Sequence, residues 1–176
     1  MRRIRYSVAM SLDGYIAGPD GEFDWILMDP DIDFTEMSEQ FDTYLLGRRT
    51  FEVTRSHGQA AIPGVRTFVF SRTLQQSDYD DVTIVGEDWK QVVQLLREED
   101  GKDIWLFGRG SLFRSLAEEG FVDTVEVAVI PVILGGGIPL IDEPSARISL
   151  TLKEYTVYEK TGTVGLVYTV DNTAQL

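Results

Sequence analysis

The chain contains no cysteine and one histidine, His57, among its 176 residues. The first absence excludes disulfides, thiolate metal sites and a cysteine nucleophile. The second excludes clustered histidine ligands and leaves any serine-histidine hydrolase dependent on His57 alone, which precedes Gly58 and reads as a surface loop position. No metal centre is expected. Long apolar runs are also missing: the most apolar stretch, 127–134, is interrupted by Pro131 and falls far short of the roughly 20 residues of a membrane helix. The basic start, Met1-Arg2-Arg3-Ile4-Arg5, runs into an alternating strand pattern and not an apolar signal core, so a cytoplasmic protein without membrane contact is expected. Lysine is scarce, with 4 residues against 12 arginines. The 29 acidic and 16 basic residues give a net charge of −13, which opposes non-specific binding to nucleic acid or to anionic membranes.

Hydrophobic residues make up 43% of the chain, which suits a single domain, 1–176, with its core over about 4–170. The first two thirds alternate strand and helix patterns. Ile4 to Met10 reads as an edge-to-core strand turned by Asp13-Gly14, with Tyr15-Ile16-Ala17 as a short continuation. Pro19-Asp20-Gly21 and Asp29-Pro30-Asp31 mark a loop rich in turn residues. Phe34, Met37 and Phe41 share a helical face behind Asp33 as N-cap, which predicts a helix over 34–40. Tyr44-Leu45-Leu46 is a buried strand, Gly47 a tight turn, and Arg49-Thr50-Phe51-Glu52 a helix start. A loop follows from Gly58 to Gly64, then strands at 67–70 and 82–85. Trp89, Val92, Val93 and Leu96 recur at i, i+3, i+4 and i+7 behind Asp88 as cap, giving an amphipathic helix. The apolar strand Ile104-Trp105-Leu106-Phe107 and a helix through Leu112, Phe113 and Leu116 repeat the earlier grammar. From Val122 onward no helical period recurs, and the chain is expected to finish as antiparallel β, with a flexible turn at 134–137 and a hairpin around Lys160-Thr161-Gly162. Trp89 and Trp105 fall on predicted core faces and read as packing residues.

Three strand ends carry arginine beside small or hydroxyl residues: Gly47-Arg48-Arg49-Thr50, Ser71-Arg72-Thr73 and Gly108-Arg109-Gly110-Ser111. Such turns gather at the carboxyl edge of an open α/β sheet, where unsatisfied helix N–H groups and arginine favour phosphate. Three of them suggest a ligand with several phosphates, and a dinucleotide fits. The spacing lacks the third glycine of the usual dinucleotide motif. Arg49 and Arg72 suit the additional 2′-phosphate of NADPH.

Five segments in this order, Ala9-Met10-Ser11-Leu12-Asp13-Gly14-Tyr15-Ile16-Ala17, Leu46 to Glu52, Val69 to Leu74, Phe107 to Leu112, and Val122-Asp123 followed by Pro131 to Gly135, resemble the dihydrofolate reductase superfamily. Within it they are most similar to the reductase domain of bacterial riboflavin biosynthesis proteins and its stand-alone relatives. The resemblance implies a three-layer α/β/α fold with a central mixed, mainly parallel sheet and an antiparallel C-terminal hairpin. It implies an NADPH-dependent reductase of a pyrimidine- or pterin-type heterocycle, 5-amino-6-(5-phosphoribosylamino)uracil reductase being the type, with a dihydrofolate reductase or a non-catalytic nucleotide-binding module as alternatives. Carried over, it assigns Gly47, Arg48, Arg49, Thr50, Ser71, Arg72, Gly108, Arg109, Gly110, Ser111 and Leu112 to the cofactor's phosphate and adenosine parts, and Ala9 and Ile16 to its nicotinamide. Trp25 falls near an aromatic of the substrate loop, and Asp31 and Asp33 lie where folate reductases keep a catalytic acid. Asp33 is explained first as a helix cap, with catalysis as the second reading, and Asp31 has a solvated surface position as its plain alternative. Asp13 is assigned to turn chemistry, with a substrate contact as the second reading. A homodimer is expected from the resemblance and from the sheet edge that the C-terminal strands leave unpaired.

Overall fold

Alternating apolar residues at Ile4, Tyr6 and Val8 make a strand, β1 (Ile4–Ser11), and its place in the sheet is central. The computed structural model describes residues 1–58, 64–141 and 146–171, so most of the loop expected between Gly58 and Gly64 lies outside the described residues. The sheet comprises β1, β3 (Phe41–Gly47), β4 (Arg66–Phe70), β5 (Thr83–Val85), β6 (Asp103–Phe107), β7 (Thr124–Ile130), β9 (Leu150–Tyr158) and β10 (Thr163–Val170), in the order β5-β4-β3-β6-β1-β7-β10-β9. All neighbours from β5 to β7 are parallel. Only β10 and β9 run antiparallel. Two expectations are thereby corrected. β1 lies between β6 and β7 and not at an edge, and β7 belongs to the parallel part, because the helix before it supplies a crossover. Residues 15–17 form a separate strand, β2 (Tyr15–Ala17), which pairs with β8 (Ile138–Pro139) and not with the main sheet.

Side-chain alternation gives the sheet two apolar faces, and each collects its own helices. Ile4, Tyr6, Leu45, Ile104, Leu106, Val125 and Val127 form one face, packed with Val93 and Leu96 of α3 (Trp89–Glu98) and Phe113 and Leu116 of α4 (Gly110–Glu118). Tyr6 stacks on Phe113 with ring centroids 4.1 Å apart. On the other face Leu46 and Val69 pack against Phe51 of α2 (Arg48–Ser56). The short helix α1 (Phe34–Ser38) shares this side, ending at Ser38 and not at residue 40. The result is the expected three-layer arrangement. At roughly 1.5–3 kcal/mol for each fully buried large apolar side chain, these two faces supply most of the driving force for the fold. Asp88 precedes α3 as expected, but its side chain makes no capping hydrogen bond. Among the described residues no helix is long and apolar enough to cross a membrane.

Arginines lock the amino edge of the sheet. The guanidinium of Arg2, a residue only 5% exposed, donates to Asp42, to Thr43 Oγ1 at 2.9 Å and to the Lys102 carbonyl at 2.6 Å. Arg5 makes a two-pronged pair with Glu126 at 2.6 and 2.8 Å, and Arg3 pairs with Asp103 at 2.5 Å. Burial works against the charge of Arg5, yet its bonds to Glu126 outweigh this and hold its pKa above the ordinary value. At the far side β9 is an edge strand exposed along almost its whole length, with Tyr155 67% and Val157 56% exposed.

Candidate functional site

The carboxyl edge holds the opposite arrangement. Gly47 ends β3 and stands as N-cap of α2 without any side-chain hydrogen bond, and Arg109 stands likewise before α4. Both helices therefore open with unsatisfied N–H groups at one edge of the sheet. Gly108 brings the two turns together: its φ is +98°, and a Cβ there would lie 2.2 Å from Thr50 Oγ1. The Arg109 N–H donates to that hydroxyl at 3.3 Å. Only glycine combines this backbone with this contact.

The turns border a cleft of about 720 Å³ lined by Gly47, Arg48, Arg49, Thr50, Ser71, Arg72, Arg109, Ser111 and Leu112, so nine of the residues assigned to a cofactor meet in one space. Among the described residues no carboxylate lies within ion-pair distance of Arg49, Arg72 or Arg109, and Arg48 has only an exposed i,i+4 pair with Glu52. In a chain of charge −13 three such arginines in one cleft are a local reversal of the field. Ser71 faces the cleft, but its Oγ accepts from Thr73 N at 3.1 Å and Leu74 N at 3.0 Å, which shapes the turn carrying Arg72. Gly108 and Gly110 are structural and do not line the space. Gly86 and Trp89 do, although in the sequence they read as a strand stop and a packing residue. The usable signal was that β5 ends at Gly86 on the same carboxyl edge. Trp89 also packs edge-on against Phe121, as its helical period suggests.

A second cavity, about 320 Å³, lies on the α1 side of the sheet. Its floor is Ser7 and Ala9 of β1, Trp105, and Glu126, Ala128 and Ile130 of β7; its wall is Ile26, Leu27, Met28, Ile32, Phe34 and Met37. Glu154, Tyr155 and Tyr158 of β9 close one side. Ala9, expected at the nicotinamide, lines this cavity and not the arginine cleft. Ile16 is half-buried in β2 and lines neither. Trp105 packs as expected, with its indole N–H on the Ser7 carbonyl at 3.0 Å, and also forms cavity floor.

The acids expected near the substrate have structural partners. Asp33 Oδ1 caps α1 by accepting from Glu36 N at 2.9 Å, and exposed Asp31 pairs with Lys160 at 2.5 Å; neither lines the cavity. Asp13 accepts from Ser11 Oγ at 2.7 Å, Leu134 N at 3.1 Å and Gly135 N at 2.8 Å, so the glycine-rich turn expected to be flexible is pinned by its carboxylate. Burial raises the pKa of Asp13, but these bonds win and lower it. Trp25 is half-buried, donates to the Glu22 carbonyl at 3.2 Å and lines neither space, although the next three residues are cavity wall. His57 is exposed, with Nδ1 2.8 Å from the Val53 carbonyl at the end of α2.

Asp29 carries no local signal of its role in the sequence. It is 2% exposed and accepts from Asp31 N at 2.9 Å, Thr161 N at 3.0 Å and Thr161 Oγ1 at 2.8 Å. Burial opposes its charge, but these donors together hold its pKa below the ordinary value. This carboxylate ties the cavity wall to the β9–β10 hairpin. Asp29-Pro30 advertised a turn; the hairpin partner was invisible without the fold.

A mainly parallel sheet between helix layers carries an arginine-lined cleft at its carboxyl edge and an apolar cavity on its α1 side. The RibD C-terminal domain family matches residues 2–163, and the chain belongs to it. It is 34% identical to the uncharacterized protein YyaP of Bacillus subtilis (strain 168), over 95% of this chain and 94% of that protein. A candidate riboflavin biosynthesis protein from Shewanella sp. PV-4 shares the fold with a TM-score of 0.81 at 24% identity, covering 97% of this chain and 99% of that one. Dihydrofolate reductase from Enterococcus faecalis, solved with NADP(H) and RAB-propyl, superposes with a TM-score of 0.68 at 17% identity and 97% coverage of both chains. These likenesses establish the dihydrofolate reductase-like fold expected from the sequence.

Proposed function

We propose that the chain is an NADPH-dependent reductase of a flat nitrogen heterocycle. The observation that carries this reading is the meeting of Arg49, Arg72 and Arg109, none paired with a carboxylate among the described residues, before two uncapped helix N-termini in one cleft. These residues fit a dinucleotide: the helix openings and Arg109 suit the pyrophosphate, and Arg49 and Arg72 suit the 2′-phosphate. When bound, such a cofactor supplies the hydride, while the protein supplies binding, orientation and exclusion of water. The apolar cavity is the substrate side, with Ala9 at its floor. Reduction of 5-amino-6-(5-phosphoribosylamino)uracil, of dihydrofolate, and binding without turnover are the activities to compare. The protein acts as one cytoplasmic domain, and two copies pair through β9, whose free edge and exposed Leu150, Leu152, Tyr155 and Val157 support this.

Titration with NADPH and NADH followed by an oxidation assay tests the cofactor reading. Tight NADPH binding that Arg49→Ala weakens roughly 10- to 100-fold, with a smaller loss for NADH, is the expected result. Failure to bind either nucleotide, or equal losses for both, refutes the assignment. Light scattering on Val157→Lys tests the pairing, with a shift to monomer as the expected outcome.

A further inference from the structure

The two spaces differ in charge in a way that bears on what the second one admits. Arg48, Arg49, Arg72 and Arg109 line the cleft, whereas no Lys, Arg or His is among the residues lining the cavity. Residues 59–63, 142–145 and 172–176 contain none of these three types, so every basic side chain of the protein lies among the described residues. Two cations that contact lining or wall residues are already engaged, while Lys153, the bulge residue before Glu154 on β9, has no ion pair among the described residues and does not line the cavity. Arg5 is held in its two-pronged pair with Glu126, whose Oε1 also accepts from Thr124 Oγ1 at 2.9 Å, and Lys160 is bound to Asp31. Among the described residues Glu154 has no ion pair, so its carboxylate stands on the cavity without a bonded cation. The lining offers hydroxyls but no cation to an anion, and its most exposed members, Leu27, Met28, Phe34 and Tyr155, are apolar or phenolic.

We propose that this cavity admits a neutral or cationic ring system without phosphate or carboxylate arms, and that Glu154 sets this preference. The proposal rests on the cavity being the substrate side of the reductase. It narrows the substrate class away from both phosphoribosylated pyrimidines and folates with their acidic tails. A flat ring fills the space between Trp105 and the Ile26–Met37 wall, and the field of Glu154 favours an amino-substituted, proton-binding edge.

A matched pair differing only in phosphate tests this, namely 5-amino-6-ribosylaminouracil and its 5′-phosphate, titrated calorimetrically into the full chain at low ionic strength without cofactor. The wild-type protein is expected to bind the nucleoside about tenfold more tightly than the phosphate, the scale of a like-charge contact near a protein surface at low salt. Glu154→Lys, compared with wild type only after light scattering shows the same oligomeric state, is expected to bring the ratio to about unity or reverse it. A wild-type preference for the phosphate, a ratio unmoved by Glu154→Lys, or binding of neither compound at millimolar concentration overturns the proposal. NADPH titration of the same samples is independent: loss of cofactor binding refutes the reductase reading and leaves the measured ratio standing.

Discussion

Arginines stand at both edges of the sheet, and the contrast between them separates structure from ligand chemistry. At the amino edge Arg2, Arg3 and Arg5 are consumed by Asp42, Asp103 and Glu126. At the carboxyl edge Arg49, Arg72 and Arg109 face a cleft with no carboxylate in reach among the described residues. One residue type thus stands in two states, paired with carboxylates at one edge and free of them at the other, and the proposed function gives the second state a ligand to bind. A guanidinium already satisfied by protein anions stabilises the fold; one held ready without them raises the affinity for an outside anion.

The largest test of this contrast removes Arg2. Arg2→Met leaves Asp42 and the Lys102 carbonyl without their buried donor and is expected to cost about 3–5 kcal/mol in urea unfolding, with NADPH affinity preserved in the folded fraction. A change below 1 kcal/mol would mean that the amino-edge pairs are as dispensable as surface ones. Gly108→Ala comes next. The strained backbone and the clash with Thr50 predict a loss of about 1–3 kcal/mol together with weaker NADPH binding, because the two turns no longer meet. Loss of stability without any change in affinity would separate the glycine from the site.

Acid titration extends the contrast to carboxylates. Asp13, Asp29 and Asp42 are all lowered below their ordinary values because hydrogen bonds outweigh the opposing effect of burial. The native state therefore binds fewer protons than the unfolded chain. Their stabilisation is complete above the unfolded value of about 3.9 and disappears as the pH falls through the lower native values. Asp29→Asn should flatten the fall in unfolding free energy below about pH 4, and an unchanged slope would show that its donors do not depend on its charge. The smallest effect belongs to Arg48. Its pair with Glu52 is exposed, so Arg48→Ala should alter stability by no more than about 0.5 kcal/mol and NADPH affinity less than Arg49→Ala does.

The sequence made the carboxyl edge legible because its signals are local. A buried strand, a glycine, arginine and a helix start lie within a few residues of one another at Gly47 and again at Gly108. Gly86 and Trp89 escaped because each has a complete local explanation, as a strand stop and a helix face. The parallel pairing of β7 was missed for another reason: Val125, Val127 and Val129 alternate in the same way whichever direction the neighbour runs. Roles set by distant partners were hidden throughout. Asp13 is fixed by Leu134 and Gly135, and Asp29 by Thr161. Asp31 and Asp33 drew attention by position alone, and their partners, Lys160 and the Glu36 amide, explain them without a substrate.

The central position of β1 also governs how the protein comes into being. Its neighbours are β6, paired from Ile4 to Ile104, and β7, paired from Arg5 to Thr124. During synthesis β1 leaves the ribosome before either neighbour exists, so its backbone groups stay hydrated until most of the chain has emerged. The parallel middle of the sheet therefore cannot close before β7 has emerged, which slows folding through the long loops it must draw together. Until then the apolar faces of β3, β4 and β6 stand open, and the newly made chain depends on α2, α3 and α4 to shield them.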